Sequence, residues 1–279
     1  HWLSFAYLTP PGPQPPGEAL ALGANGDEHE KWLRAAALMG ARHVRTSVDL
    51  REIRFEEHHP WSFERLRQRV DTMESLGLEP QFLVAYGIPW ATDEKYHRFI
   101  TAPDGSRQRD VGWPNGFTFP VQLPVWEELL TRAATEFKGR GTYWEIWNEP
   151  DIDAFYQGTT AEYVEMLKAA HRVIRAIDPE AKVGTGGFAF APEHWLQAVS
   201  GNPTLQADVL RDAAGHYDIH VMHLHGDFDS FRHRVDNVLL PTRASLGITT
   251  PMIFNETGYT AVETTREREL EQASTLIKK

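Results

Sequence analysis

The stretch Tyr143-Trp144-Glu145-Ile146-Trp147-Asn148-Glu149-Pro150-Asp151 begins like a buried strand and ends in an amide, a carboxylate and a proline. A second glutamate, Glu256, follows the apolar run Pro251-Met252-Ile253-Phe254-Asn255. Two carboxyl groups at the ends of separate strands can divide a displacement between them. One holds a proton to give to a leaving atom, and the other stays ionised to attack or to stabilise positive charge. Arg45, within His43-Val44-Arg45-Thr46-Ser47, is a cation able to keep Glu256 ionised. His220, His223 and His225 fall in one further run, and the His-x-His spacing puts 223 and 225 on one strand face, a spacing also compatible with metal binding. Glu145 alternates with Glu149 along its strand; pointing inward, it needs a buried partner and reads as structural.

Short apolar runs alternate with longer segments of helical period, and these elements must position the candidates. The runs 2–8, 43–48, 80–86, 143–147, 182–186, 218–224 and 251–255 predict strands. The segments 27–40, 62–77, 124–139, 160–179, 231–247 and 264–279 predict helices, with Ser62 as an N-cap, Gly77 as a stop and Pro241 as an interruption. This βα alternation implies a parallel sheet covered by helices. Seven successive units point to a closing (β/α)8 TIM barrel rather than a doubly wound sheet, and no GxGxxG opens a helix after the first strand. Asn148 and Glu149 then fall at a strand's C-terminal tip, the face where such barrels do chemistry, and Pro150 ends the pairing. The Pro/Gly-rich segment 9–17 and the long segment 87–120 read as rim loops. An eighth strand is missing from the pattern, so residues 1–279 read as a single catalytic barrel domain that is C-terminally incomplete.

Composition narrows the partners. The formal net charge is -11 and no basic run occurs, which disfavours nucleic acid and anionic membrane. No apolar run approaches the roughly 18 residues of a membrane span. The N-terminus lacks the basic and apolar pattern of a signal peptide, and the first residue is His1, so a leader removed before this numbering stays open. With no cysteine there are no disulfides or thiolate metal sites, and the compartment is left undecided.

The sequence resembles the retaining glycoside hydrolases of clan A, and most closely family 39, which includes β-xylosidases, α-L-iduronidases and exopolysaccharide hydrolases. The matching residues are WEIWNEPD at 144–151, IFNETG at 253–258, Arg45 and YGIPWAT at 86–92. The resemblance implies a glycosidase acting on a poly- or oligosaccharide by double displacement, without cofactor or metal. It assigns Glu149 as acid/base, Glu256 as nucleophile and Asn148 as the contact to the sugar 2-hydroxyl. Glycosidic bonds leave through an oxocarbenium-like transition state, and carboxyl groups about 5 to 5.5 Å apart suit retention. Trp90, Trp113 and Trp147 can stack on sugar faces or serve as core. In the clan the sixth strand carries a His, matched by His223, and then a Tyr that touches the nucleophile. His225 stands in that Tyr position, a departure that Tyr86 or Tyr259 would have to make good. Two other readings stay open: a metal-dependent hydrolase using His223 and His225 with a carboxylate, and a carbohydrate-binding barrel without catalysis.

Overall fold

The computed structural model describes residues 23–24, 30–96, 99–101, 103–109, 117–141, 143–189, 201–258 and 270. A five-stranded parallel sheet holds β1 (Gly23–Ala24), β2 (His43–Val48), β3 (Glu79–Val84), β6 (Trp144–Ile146) and β7 (Val183–Gly184), in that order. Two short strands, β4 (Phe99–Thr101) and β5 (Arg107–Arg109), form a separate antiparallel hairpin within the expected rim loop. β8 (His220–His225) and β9 (Met252–Gly258) pair in parallel, and the bridges Gly184↔Ile219 and Phe188↔Met222 join them to the β7 side. The strands of this wall therefore follow one another in chain order. A doubly wound sheet would reverse that order, whereas a barrel wall does not.

Expected strands from 43–48 onward form within one to three residues of their predicted bounds, the largest difference being the end of β9 at Gly258. The first expected strand, 2–8, lies outside the described residues; β1 pairs with β2 from residues 23 and 24. Of the final expected helix only Leu270 is described, and it is helical. Helix α6 (Leu205–Asp212), in a segment with no helix expectation, lies between β7 and β8 in the chain. Its apolar positions Leu205, Val209 and Leu210 are at i, i+4 and i+5, too few to stand out from a loop.

Period two sorts the wall strands into an inner and an outer face. Phe82 of β3 pairs with Trp144 of β6; their rings stack at 4.5 Å, with Phe137 against Phe82. Phe137 caps helix α4 (Leu123–Glu136), so this face is the one the helices cover. The alternate pair, Leu83 and Glu145, faces the interior. Helix α5 (Thr160–Ile177) opens with a capping box between Thr159 and Glu162, and buries Tyr163, Leu167, Ala170 and Ile174 on one stripe. Trp126 of α4 donates to the Met166 carbonyl of α5.

The segment 228–245 shows how a proline is accommodated. It runs as α7 (Phe228–Arg234), capped by Asp227, then a π-helical turn Val235–Leu239, then α8 (Leu240–Ser245). Pro241 has no N–H and clashes with the carbonyl four residues back; the widened turn just before it relieves that conflict without ending the helix. No helix among the described residues is long and apolar enough to cross a membrane.

Candidate active site

The centre of the interior is an ion pair that spans the inner face of the sheet from β2 to β6, across β3. Arg45 of β2 makes a two-pronged contact with Glu145 of β6, Nε to Oε2 and Nη2 to Oε1, both at 2.8 Å. Glu145 is fully buried, with 0 % exposure, and Arg45 nearly so. A carboxylate this deep persists only when its oxygens are satisfied. Gly187 N donates to Oε1 at 3.0 Å and Asn255 Nδ2 to Oε2 at 2.6 Å. Burial pushes the Glu145 pKa up, but the charge of Arg45 and the nearby His223 more than offset this and hold it below the usual carboxylate range. Arg45 has donors to spare: Nη2 reaches Asn148 Oδ1 at 2.8 Å and Nη1 reaches Glu256 Oε2 at 3.1 Å.

Local backbone geometry aims the tip of β6. Tyr163 of α5 donates its hydroxyl to the Ile146 carbonyl at 2.7 Å and accepts from Gly186 N at 2.6 Å, locking β6 to the strand beside it. Beyond Ile146 the chain turns through positive φ twice, at Trp147 (75°) and Glu149 (42°). Such values cost about 1 to 3 kcal/mol each for non-glycine residues and persist where surrounding bonds enforce them. Here Trp147 N donates to the Val84 carbonyl at 2.9 Å and Glu149 N to the Gly187 carbonyl at 3.1 Å. Asn148 and Glu149 are thereby both buried at the same centre.

The β8–β9 pair completes it. Its register shifts between Met222 and His223, so Met222 faces Phe254 and His223 faces Glu256. Asn255 is the extra residue of a bulge, and both Asn255 and Glu256 reach the interior, which strict alternation forbids. His223 is fully buried; Nδ1 hydrogen-bonds Glu149 Oε1 at 2.9 Å and lies 3.6 Å from Glu256 Oε2. Its Nε2 stands 3.7 Å from Glu145 Oε1. Burial lowers the His223 pKa, but the carboxylates of Glu145 and Glu149 raise it more, to about 9. Gly187 is required beside it, because a Cβ at 187 would lie 2.0 Å from His223 Nε2. His225 Nε2 lies 3.5 Å from Glu256 Oε1. Burial raises the Glu256 pKa, while His225, His223 and Arg45 together hold it down at about 2. One oxygen of Glu149, one of Glu256 and a ring nitrogen of His223 all lie within 4.8 Å of one another.

Arg45, Asn148, Glu149, His223, His225 and Glu256 thus converge. The tryptophans do not join them in the same way. Trp147 is 0 % exposed, its ring edge-on to Tyr86 and Tyr156 and its Nε1 donating to the Phe155 carbonyl, so it offers no face to a sugar. That corrects the expectation of substrate contact: the positive φ at 147 sends the indole into the core. Trp90 is half-buried at the rim, with Arg54 over its ring and Nε1 donating to the Phe55 carbonyl. Tyr86 packs on Trp147 with Arg51 over its ring, and burial raises its pKa to about 12. Trp113 and Tyr259 lie outside the described residues. The imidazoles of 223 and 225 meet different carboxylate oxygens, and His225 is not part of the close Glu149–His223–Glu256 cluster. Asn255 and Gly187 were not singled out from the sequence; no pattern marks a bulge residue or a glycine under a histidine ring.

Comparison with known proteins gives the family and the fold. The sequence profile of glycosyl hydrolases family 39 matches residues 39–209, a span holding Arg45, Glu145, Asn148 and Glu149. A β-xylosidase of Caldicellulosiruptor saccharolyticus is 30% identical over 92 residues, which cover 30% of this chain and 18% of that protein. Among solved structures, a family 39 glycoside hydrolase from Bacteroides cellulosilyticus WH2 aligns with a TM-score of 0.59 at 16% identity, covering 91% of this chain and 51% of that one. A monomeric β-xylosidase from Caulobacter crescentus CB15 aligns with a TM-score of 0.62 at 17% identity, covering 88% and 52%. These structural likenesses establish a shared fold, and this chain spans about half the length of each of those two structures. By the profile match over more than half of its residues, the chain belongs to glycosyl hydrolases family 39.

Proposed function

We infer that this barrel is a glycosidase that hydrolyses a poly- or oligosaccharide with retention of configuration, Glu256 acting as nucleophile and Glu149 as acid/base. The observation that carries this reading is the approach of the two carboxylates, whose nearest oxygens lie within 4.8 Å with Glu256 held ionised. That spacing suits a retaining displacement and leaves little room for the water of an inverting one.

In the first step a Glu256 oxygen bonds to the anomeric carbon. The bond to the leaving oxygen breaks, and that oxygen takes the proton of Glu149. In the second step Glu149, now a carboxylate, removes a proton from water as the water oxygen bonds to the anomeric carbon and Glu256 departs with its electron pair. Arg45 fixes Glu256 and Asn148 through one guanidinium, so nucleophile and 2-hydroxyl contact keep a constant separation. Glu145 in turn fixes Arg45, and His223 orients Glu149. No step needs a metal: the cation beside Glu256 is a guanidinium.

Substitution with chemical rescue tests the assignment. Glu256→Ala is expected to lose turnover of activated aryl glycosides by about 10⁴-fold or more, with azide restoring part of it and giving a glycosyl azide of inverted configuration. Glu149→Gln is expected to lose far more rate on poor leaving groups than on activated ones, since only the former need a proton. Unchanged turnover in Glu256→Ala, or equal losses on both substrate types in Glu149→Gln, sinks the reading.

A further inference from the structure

The displacement just described leaves one titratable group at its edge unused. His225 ends β8 two residues beyond His223 and on the same strand face, with its ring 3.5 Å from the nucleophile. Its side chain is 37 % exposed, so it stands at the mouth rather than in the interior. Two contacts hold it. Arg234 of α7 donates to the His225 carbonyl, and Gly258, its partner across the β8–β9 pair, leaves room for the ring, since a Cβ there would come within 3.0 Å of Nδ1. The charged and titratable groups around it are Glu256 from β9, His223 from its own strand, Asp227 and Arg234 from the segment that follows, and Arg45 on the far side of the Glu256 carboxylate. The guanidinium of Arg45 is always charged. An imidazole changes charge within the pH range in which enzymes work.

We propose that His225 is a positioning residue for Glu256 whose charge sets the balance between the two half-reactions, an inference that rests on the glycosidase reading above. Before attack the negative charge sits on Glu256. An imidazolium beside it stabilises that ground state, so bond formation to the anomeric carbon, with loss of the leaving oxygen and its protonation by Glu149, slows. In the second half-reaction the bond from the anomeric carbon to Glu256 breaks and its electron pair returns to the carboxylate. The same imidazolium now meets developing charge and speeds the step. Neutral His225 reverses the balance. Returning charge spreads over both carboxylate oxygens, so the effect holds whichever oxygen carries the sugar.

The test isolates the second half-reaction. In the Glu149→Ala protein, which cannot titrate at 149, an activated aryl glycoside loads Glu256 and azide discharges the glycosyl-enzyme; intact mass spectrometry follows the loaded fraction. Discharge is expected to quicken by about tenfold from the alkaline to the acid end of its pH course, a size set by a partly exposed charge. Adding His225→Phe should make discharge slower and weaken its pH dependence to the part that His223, 3.6 Å from Glu256, leaves. His225→Gln, which keeps a neutral donor and serves if the Phe variant does not fold, should weaken the pH dependence in the same way. A glycosyl-enzyme that forms on Glu256 and discharges with the same pH course in all three proteins overturns the role of His225 and leaves the glycosidase reading standing. Failure of any aryl glycoside to load Glu256 overturns both.

Discussion

The β2–β3 pair and the β8–β9 pair both run six residues in parallel register, yet they are built differently. The first ladder is unbroken from His43↔Glu79 to Val48↔Val84. The second slips by one residue at Met222/His223. The regular strand β2 delivers a permanent charge, Arg45, which β6, on the far side of β3, clamps through Glu145. The irregular pair delivers Glu256 and the two histidines that touch it. A regular strand can present only every second side chain to the interior, which suffices for one fixed anchor. Two adjacent residues, Asn255 and Glu256, can both face inward only where a bulge breaks the alternation. Regularity here holds the charge frame, and irregularity aims the reactive groups.

Three experiments would break or sharpen that contrast. The largest effect is expected at the regular side. Arg45→Met leaves Glu145 buried without its cation and should cost about 3 to 5 kcal/mol, read as a fall in the denaturant midpoint. A loss no larger than that of the exposed Arg34→Ala would mean that the frame is not held by this pair.

The next concerns charge on the irregular side. His223 has its pKa raised to about 9 in the folded protein, above the ordinary histidine value of 6.5. Its protonated form is therefore favoured by folding: the stabilisation is fully present below about 6.5 and is lost as pH rises through about 9. An effect on the order of 3 kcal/mol follows from a shift of this size. Unfolding curves between pH 6 and 10, a range of about four units around this window, should show His223→Gln lacking that alkaline loss. Parallel curves for the two proteins would show that His223 is not the group responsible.

The smallest expected effect is the most local. Gly187→Ala puts a methyl group where His223 Nε2 now lies, so either the ring or the backbone must move. A cost of about 2 kcal/mol is expected. If His223 orients Glu149, the rate on poor leaving groups should fall further than the rate on activated ones. Equal falls would place the glycine's role in packing alone.

Much of the frame was legible in the sequence because it follows from short-range rules. The runs around 43–48, 143–147 and 251–255 carry their strand signals locally, and a parallel wall in chain order follows from βα alternation. Pro241 announced an interruption, though the π turn that absorbs it did not show. Helix α6 was missed because its apolar stripe is short, and Trp147 was misplaced because a left-handed φ at a tryptophan has no sequence signature.

By itself the sequence determined which residues arrive at the rim: Asn148 and Glu149 at one strand end, Glu256 at another, Arg45 and the histidines on strands between and beside them. Which of them meet was decided only by the tertiary structure. Arg45 and Glu145 are 100 residues apart, and Arg45 and Glu256 are 211 apart. Their contact depends on the order of strands in the wall and on a one-residue slip in β9, set by the packing of whole strands rather than by any local preference. The charge states follow the same division. A side chain's type fixes what it can ionise to, while burial and the partner brought to it from a distant strand decide the pH at which it does so.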